Sequence, residues 1–377
     1  MTLFALVGAT IFDGNKLIQD HAVLIDGAAV QIIPAAGLPQ YCDRRQLAGG
    51  TLMPGFVDLQ VNGGGGVMFN ADPGLATLET MSAAHRSLGT RAFLPTLITD
   101  TPEITAAAIS AVEEAIAAKV PGILGLHLEG PHLSVARKGA HDASLIRPMT
   151  ADDLTTLLSA ADSLPNLMIT LATESVTSAQ ITTLTQAGVI VSLGHSDMDY
   201  DTAIRAFEAG ARCATHLFNA MSQLGSRTPG LVGAALDSGS TSTGLIADAI
   251  HVHPATIRTA LAAKSGPGEI FLVTDAMACA GSDITEFTVN DRTIVREDGR
   301  LRLADGTLAG ADLRMARALE VMVKDVGDAP GKALARATSI PSRLLRDAQG
   351  YGTWPNTLKN LIYLGTDYSV SAATDLL

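Results

Sequence analysis

Glu129, His195, His216 and Asp275 each stand at the end of a run of apolar, β-favouring residues: GLHLE (125–129), VSLGH (191–195), CATH (213–216) and FLVTD (271–275). A buried strand has no use for an unpaired charge at its tip. One carboxylate with two imidazoles is instead the donor set of a catalytic metal site, in which three protein ligands leave a position for water. A divalent ion held there lowers the pKa of its water to about 7 and polarises a carbonyl. Asp275 can then serve as general base to that water and as general acid to a leaving group. The pairing suits hydrolysis of an amide, whose amine departs poorly unless protonated. The donor set admits zinc, iron, manganese or cobalt, with zinc the leading expectation.

Other polar residues carry less. Asp58, Gln60 and Asn62 alternate along FVDLQVN and share one face of a strand. Gln60 and Asn62 are weak neutral ligands, so one divalent ion per subunit is expected rather than two. His127 shares the face of Glu129 and reads as filler or as support for it. His21, His85 and His253 read as surface or packing residues. Gly63 to Gly66 lack both the GK[ST] ending and the GxGxxG spacing of a phosphate cradle, and read as a flexible loop at the site's mouth.

Positioning these groups requires several strands with a common rim. From residue 56 onward, apolar runs alternate with alanine-rich amphipathic stretches. The runs are 56–61, 91–98, 122–129, 167–172, 188–194, 213–218, 243–250 and 269–275. Strands alternating with helices imply βαβ units and a parallel sheet. Eight of them predict a (β/α)8 barrel of the TIM type, whose active site lies at the C-terminal ends of the strands. An open doubly wound sheet would not need eight repeats. Residues 1–53 and 350–377 show short strand-like pieces and are expected to form one small β-sandwich domain from both chain ends. The barrel is then expected over 54–349, with a hairpin-like stretch at 286–308 and helices over 311–326 and 331–349 closing its wall.

The chain of 377 residues is 47% hydrophobic and 17% charged, enough to bury a large core. Its net charge of −12 argues against nucleic acid or an anionic membrane as partner, and a phosphorylated ligand would need a local positive pocket. Cys42, Cys213 and Cys279 form no CxxC pair, so a reducing cytoplasmic setting is expected. The opening MTLFALVGATIFDG lacks a basic leader, and no run of about 18 apolar residues appears.

The stretches PGFVDLQVNGGGGVMFN, FLPTLIT, LGLHLEGPHL with KGAHD, VSLGHSD, ATHLFNAM with GSRTPGLVGAALD, IADAIHVHP, LVTDAMACAG and DGTLAGADLRM follow in order from residue 54 to about 315. Together they resemble the amidohydrolase superfamily, in its branch of amino-sugar-phosphate deacetylases. The resemblance implies that Glu129, His195 and His216 bind a single divalent metal and that Asp275 is the acid/base. It implies substrate contacts from Ala140, His141, Asn219, Ala220, Arg227, the segment Asp248 to His251, and the backbone around Leu308, Ala309 and Gly310. Arg227 would reach the phosphate of the neighbouring subunit, which implies a homodimer. The implied reaction converts N-acetyl-D-glucosamine 6-phosphate to D-glucosamine 6-phosphate and acetate.

Three departures stand out. His132 replaces a common aromatic residue, Ala249 replaces the usual glycine of Asp-Gly-x-His, and the tail after Ser369 lacks the usual closing strand. Two alternatives compete. A cyclic-amide hydrolase or deaminase on this barrel often needs a binuclear centre with His-x-His, where this chain has Gln60-x-Asn62. A sugar-phosphate sensor without chemistry would have no need to retain all four catalytic-type residues.

Overall fold

A computed structural model describes residues 3–27, 29–290, 292–355 and 357–377. Eight parallel strands pair in sequence order: β1 (Phe56–Val61), β2 (Thr90–Ile98), β3 (Leu126–Glu129), β4 (Leu167–Leu171), β5 (Ile190–Leu193), β6 (Cys213–Ala214), β7 (Ser242–Leu245) and β8 (Ile270–Leu272). All eight are buried along their length, as strands covered on both faces must be, which is why they read as continuous apolar runs. Seven helices lie between them: α1 (Leu75–Ser87), α2 (Pro102–Ala117), α3 (Ala151–Ser163), α4 (Ser178–Gln186), α5 (Tyr200–Glu208), α6 (Gly230–Asp237) and α7 (Pro254–Ala263). Their starts are written locally. Thr101 caps α2 ahead of Pro102, Asp199 caps α5, and Thr150 with Asp153 and Thr177 with Gln180 form capping boxes on α3 and α4.

The ladder does not run on from β8 to β1. At the base of that seam Val57 N donates to Ala337 O, and the helix Ser339–Ser342 packs against both strands. At the mouth the two strands meet through Asp275 N to Gln60 O and Asn62 N to Ala276 O.

Both chain ends build the small domain. One sheet holds Ala29–Pro34, His21–Asp26, Phe4–Val7 and Asp43–Gln46; the other holds Val370–Ala372, Leu361–Leu364, Thr51–Pro54, Thr10–Phe12 and Leu17–Ile18. Leu6, Val23, Ile25 and Val30 of the first meet Ile11, Leu52 and Leu361 of the second in a separate apolar cluster. Val370–Ala372 pairs antiparallel with Leu361–Leu364, so the tail does supply a closing strand, contrary to the sequence expectation. It does so without an Asn-Gly turn, through Asp367, whose carboxylate accepts from Ser369 N and Oγ.

After β8 the chain forms a three-stranded antiparallel meander, Glu286–Val289, Arg292–Glu297 and Arg300–Arg302. Its apolar face covers Met277 and Cys279 beside the barrel mouth. Gly63–Gly64 and Val67–Met68 form a small hairpin there. The amides of Gly63, Gly65 and Gly66 are bound by the carbonyls of Ala276, Ala280 and Ala278, so this is a fastened turn rather than the flexible loop expected. Among the described residues, no helix is long and apolar enough to cross a membrane.

Candidate active site

The strand ends turn sharply where the chemistry-bearing side chains leave the ladder. Among the described residues other than glycine, twelve have positive φ, and six of them lie at this rim: His195 (47°), His216 (28°), Phe218 (78°), Ala220 (49°), Ala249 (64°) and Asp275 (51°). Such backbone costs of order 1–3 kcal/mol per residue and persists only where the surroundings over-determine it. The turns aim the side chains inward over the barrel axis.

Glu129 Oε1 lies 3.1 Å from His195 Nε2 and 3.0 Å from His216 Nε2, and the two Nε2 atoms are 3.1 Å apart. His195 Nδ1 donates to the Arg137 carbonyl at 2.9 Å, so its Nε2 carries a lone pair when the ring is neutral. Electron-rich atoms crowded this closely call for a shared cation. Donors around a tetrahedral ion with bonds of about 2.0–2.2 Å sit roughly 3.3–3.6 Å apart, so the set fits within about half an ångström. His141 forms a looser set, with donor atoms of Glu129, His141 and His195 within 4.8 Å of one another. The tighter triad with His216 is the better cage, because His141 Nε2 is 4.0 Å from Glu129 Oε2 and its Nδ1 is engaged by Thr99 Oγ1 at 2.7 Å. Burial works against the charge on Glu129, but the two imidazoles hold its carboxyl well below the usual range. Burial opposes protonation of His216; the Glu129 carboxylate outweighs it and raises that pKa.

Asp275 stands beside this triad. Its Oδ1 accepts from Asn62 Nδ2 at 2.6 Å and from Gln60 Nε2 at 3.2 Å, and the same Gln60 Nε2 donates to Glu129 Oε1 at 3.2 Å. Gln60 therefore serves both carboxylates with one amide group, a role its reading as a weak ligand missed. Burial, reinforced by Glu129, pushes Asp275 up to about 6, within reach of proton exchange near neutrality.

A cavity of about 420 Å³ opens over these groups. It is lined by Asn62, Glu129, His195, His216 and Asp275, and by Ala140, His141, Asn219, Ala220, His251, Leu308 and Gly310 from the sequence-derived substrate set. Burial, reinforced by His195, lowers His141 to about 3, so it faces the cavity as a neutral ring. Asp248 turns away to hold His251: its Oδ2 binds His251 Nδ1 at 2.6 Å and its Oδ1 accepts from the amides of Ile250 and His251. Ala309 is fully buried in the cluster under the meander, and only its neighbours reach the cavity. Arg227 is exposed and does not line the cavity of its own chain. Ile246, Met277 and Thr307 line the wall without having been singled out, because apolar and hydroxyl wall residues carry no motif.

His127 binds Thr96 Oγ1 and Thr170 Oγ1 beneath the triad, and His132 binds the Arg147 carbonyl away from the site. His21 is a surface residue, His85 is buried against Gly63 O, and His253 caps α7.

Residues 3–52 match a NagA composite domain, and residues 51–346 match the amidohydrolase family. The N-acetylgalactosamine-6-phosphate deacetylase of a Shewanella strain is 48% identical over 81% of this chain and 76% of its own. The N-acetylglucosamine-6-phosphate deacetylase of Haemophilus influenzae is 36% identical over 91% of this chain and 90% of its own. The crystal structure of N-acetylglucosamine-6-phosphate deacetylase from Pasteurella multocida superposes with a TM-score of 0.91 at 36% identity, covering 98% of each chain. A mutant of the Mycobacterium smegmatis enzyme in complex with N-acetyl-D-glucosamine-6-phosphate superposes at 0.87 with 30% identity, over 98% of this chain and 97% of that one.

Proposed function

This chain belongs to the amidohydrolase family, and from that premise we propose that it hydrolyses the acetamide of N-acetyl-D-glucosamine 6-phosphate, releasing acetate and D-glucosamine 6-phosphate. The observation that carries this reading is the Gln60 amide shared between Glu129 of the donor triad and Asp275. It sets a proton-transferring carboxylate next to a cation cage inside a cavity of sugar size. Glu129, His195 and His216 would hold one divalent ion, zinc foremost, which supplies Lewis acidity toward water and carbonyl oxygen. Asp275 takes the proton of the attacking water and delivers it to the departing amine. Neutral His141 faces the cavity as a partner for the acetyl oxygen, and His251, oriented by Asp248, faces it as a partner for the sugar phosphate. Because Arg227 lies outside its own cavity, it is assigned to the phosphate in the neighbouring subunit of a homodimer. The setting is amino-sugar metabolism in the cytoplasm.

The 48% relative favours a second reading, in which the 4-epimer N-acetylgalactosamine 6-phosphate is the preferred substrate. Acetate release from both epimers, each with and without the 6-phosphate, separates the readings. Phosphorylated sugars should be hydrolysed and unphosphorylated ones left nearly untouched; equal rates on both would overturn the assignment. Asp275→Asn should keep its metal and lose about 10²–10⁴-fold in kcat. Near-normal turnover in that variant would refute the proton shuttle.

A further inference from the structure

Asp58 is a fully buried carboxylate that the chemistry above does not use. It lies on β1, two residues before Gln60, and it spans the seam where the ladder fails to close. Its Oδ2 accepts the hydroxyl proton of Thr274, both of its oxygens are 3.3 Å from Thr274 N, and its Oδ1 also accepts from Gln60 N at 3.2 Å. The amides of Thr274 and Gln60 can only donate, so Asp58 accepts from both, although burial pushes its carboxyl up to about 7. The residue it grips is the immediate neighbour of Asp275.

Asp275 itself is in left-handed backbone (φ 51°). An aspartate holds that conformation only when its flanks are fixed. On the far side they are: Ala276 O accepts from Asn62 N at 2.8 Å and Gly63 N at 3.1 Å, and Asp275 O accepts from Ala311 N at 2.9 Å. On the near side Val273 N donates to Leu245 O and Asp275 N to Gln60 O, both at 3.1 Å, while between them the Thr274 amide has Asp58 as its acceptor. The grip on Thr274 therefore comes from a side chain, not from the ladder.

We propose that Asp58 is a positioning residue for proton transfer: by gripping the hydroxyl and amide of Thr274 across the barrel seam, it fixes the turn from which Asp275 presents its carboxylate. This rests on Asp275 being the acid/base. Asp58 touches no reacting atom. Its effect belongs to the aim of Asp275 and not to the grip on metal or sugar phosphate, so it falls on kcat.

Thr274→Val removes the hydroxyl at nearly constant shape, and Thr274→Ser keeps it. Metal-loaded Thr274→Val should lose about 10–100-fold in kcat, as a displacement approaching 1 Å would produce, with KM and bound metal within about twofold of the parent. Thr274→Ser should restore kcat to within about threefold of the parent. Asp58→Asn, which turns amide protons toward the donors of Thr274 or Gln60, should follow Thr274→Val where it folds. The proposal is overturned if Thr274→Val keeps its kcat, if its loss tracks lost metal so that turnover per bound ion is unchanged, or if Thr274→Ser is equally impaired. Asp275→Asn run alongside separates the two ideas. Full turnover there removes the acid/base reading, whereas an inactive Asp275→Asn beside an unimpaired Thr274→Val removes only the role of Asp58.

Discussion

Asn62 is buried with its amide 2.6 Å from Asp275 Oδ1, and it shows how a single neutral side chain can set a working pH. Burial, reinforced by Glu129, raises the Asp275 pKa, and the Asn62 hydrogen bond opposes that rise. A general base must be ionised, so activity should fall as pH drops through the Asp275 pKa. Removing a donor to the ionised form raises that pKa. Asn62→Ala is therefore expected to move the acidic limb of the kcat–pH profile upward by about 1 unit, with the metal retained. An unshifted limb would show that Asn62 does not govern the base. This contact was not legible in the sequence. The spacing of Asn62 suggests a weak neutral ligand, while the structure uses its nitrogen as a donor. His195 is held by the Arg137 carbonyl, and no side-chain identity announces a backbone acceptor.

At the scale of elements, the strands were legible because parallel strands buried on both faces must be apolar throughout. The first run, 56–61, coincides with β1. The sixth, 213–218, shrinks to Cys213–Ala214, since the chain turns left-handed at His216 and leaves the ladder. Shortening of this kind recurs at β5, β7 and β8: each run continues past the last residue paired in the ladder, at β5 and β8 with one further backbone bond, Gly194 N to Leu171 O and Val273 N to Leu245 O. Periodicity reports burial and not pairing, so it overran the residues that matter most. Helix starts were better marked. Asp153 receives Thr150 N at 2.8 Å and a two-pronged contact from Arg147, joining α3 to the loop that follows Glu129. Partial burial works against its charge, but Arg147 and Thr150 hold its carboxyl well below the usual range. A depressed carboxyl stabilises the fold above the unfolded value of about 4 and loses that contribution as pH falls through the folded one. Asp153→Asn should thus lower stability at pH 7 by about 1 kcal/mol. Urea midpoints should converge with the parent in strong acid, and a gap independent of pH would refute the ionic origin.

For the whole molecule, charge and assembly are linked. An acidic chain must gather cations locally to hold a phosphate, and within one subunit the cavity wall offers His251 and Arg137, the latter already 2.7 Å from Asp197. On the homodimer reading Arg227 supplies the rest. Arg227→Ala should raise KM for the phosphorylated sugar by about 10–100-fold while leaving kcat nearly intact. Mixed dimers carrying Arg227→Ala in one subunit and Asp275→Asn in the other should regain one intact site with the parent KM and hold one site that lacks both residues; activity seen only with the raised KM, as two independent monomers would give, would refute the sharing. The small domain has a different consequence. Thr51–Pro54 sits between Thr10–Phe12 and Leu361–Leu364, so one of its neighbours is made early and the other about 300 residues later. On the ribosome, Glu129, His195, His216 and Asp275 have all been synthesised while that strand still presents a bare edge, the kind of surface that recruits foreign strands. The segment Leu361–Leu364 is remote from the proposed chemistry, yet its arrival ends that edge's exposure to aggregation.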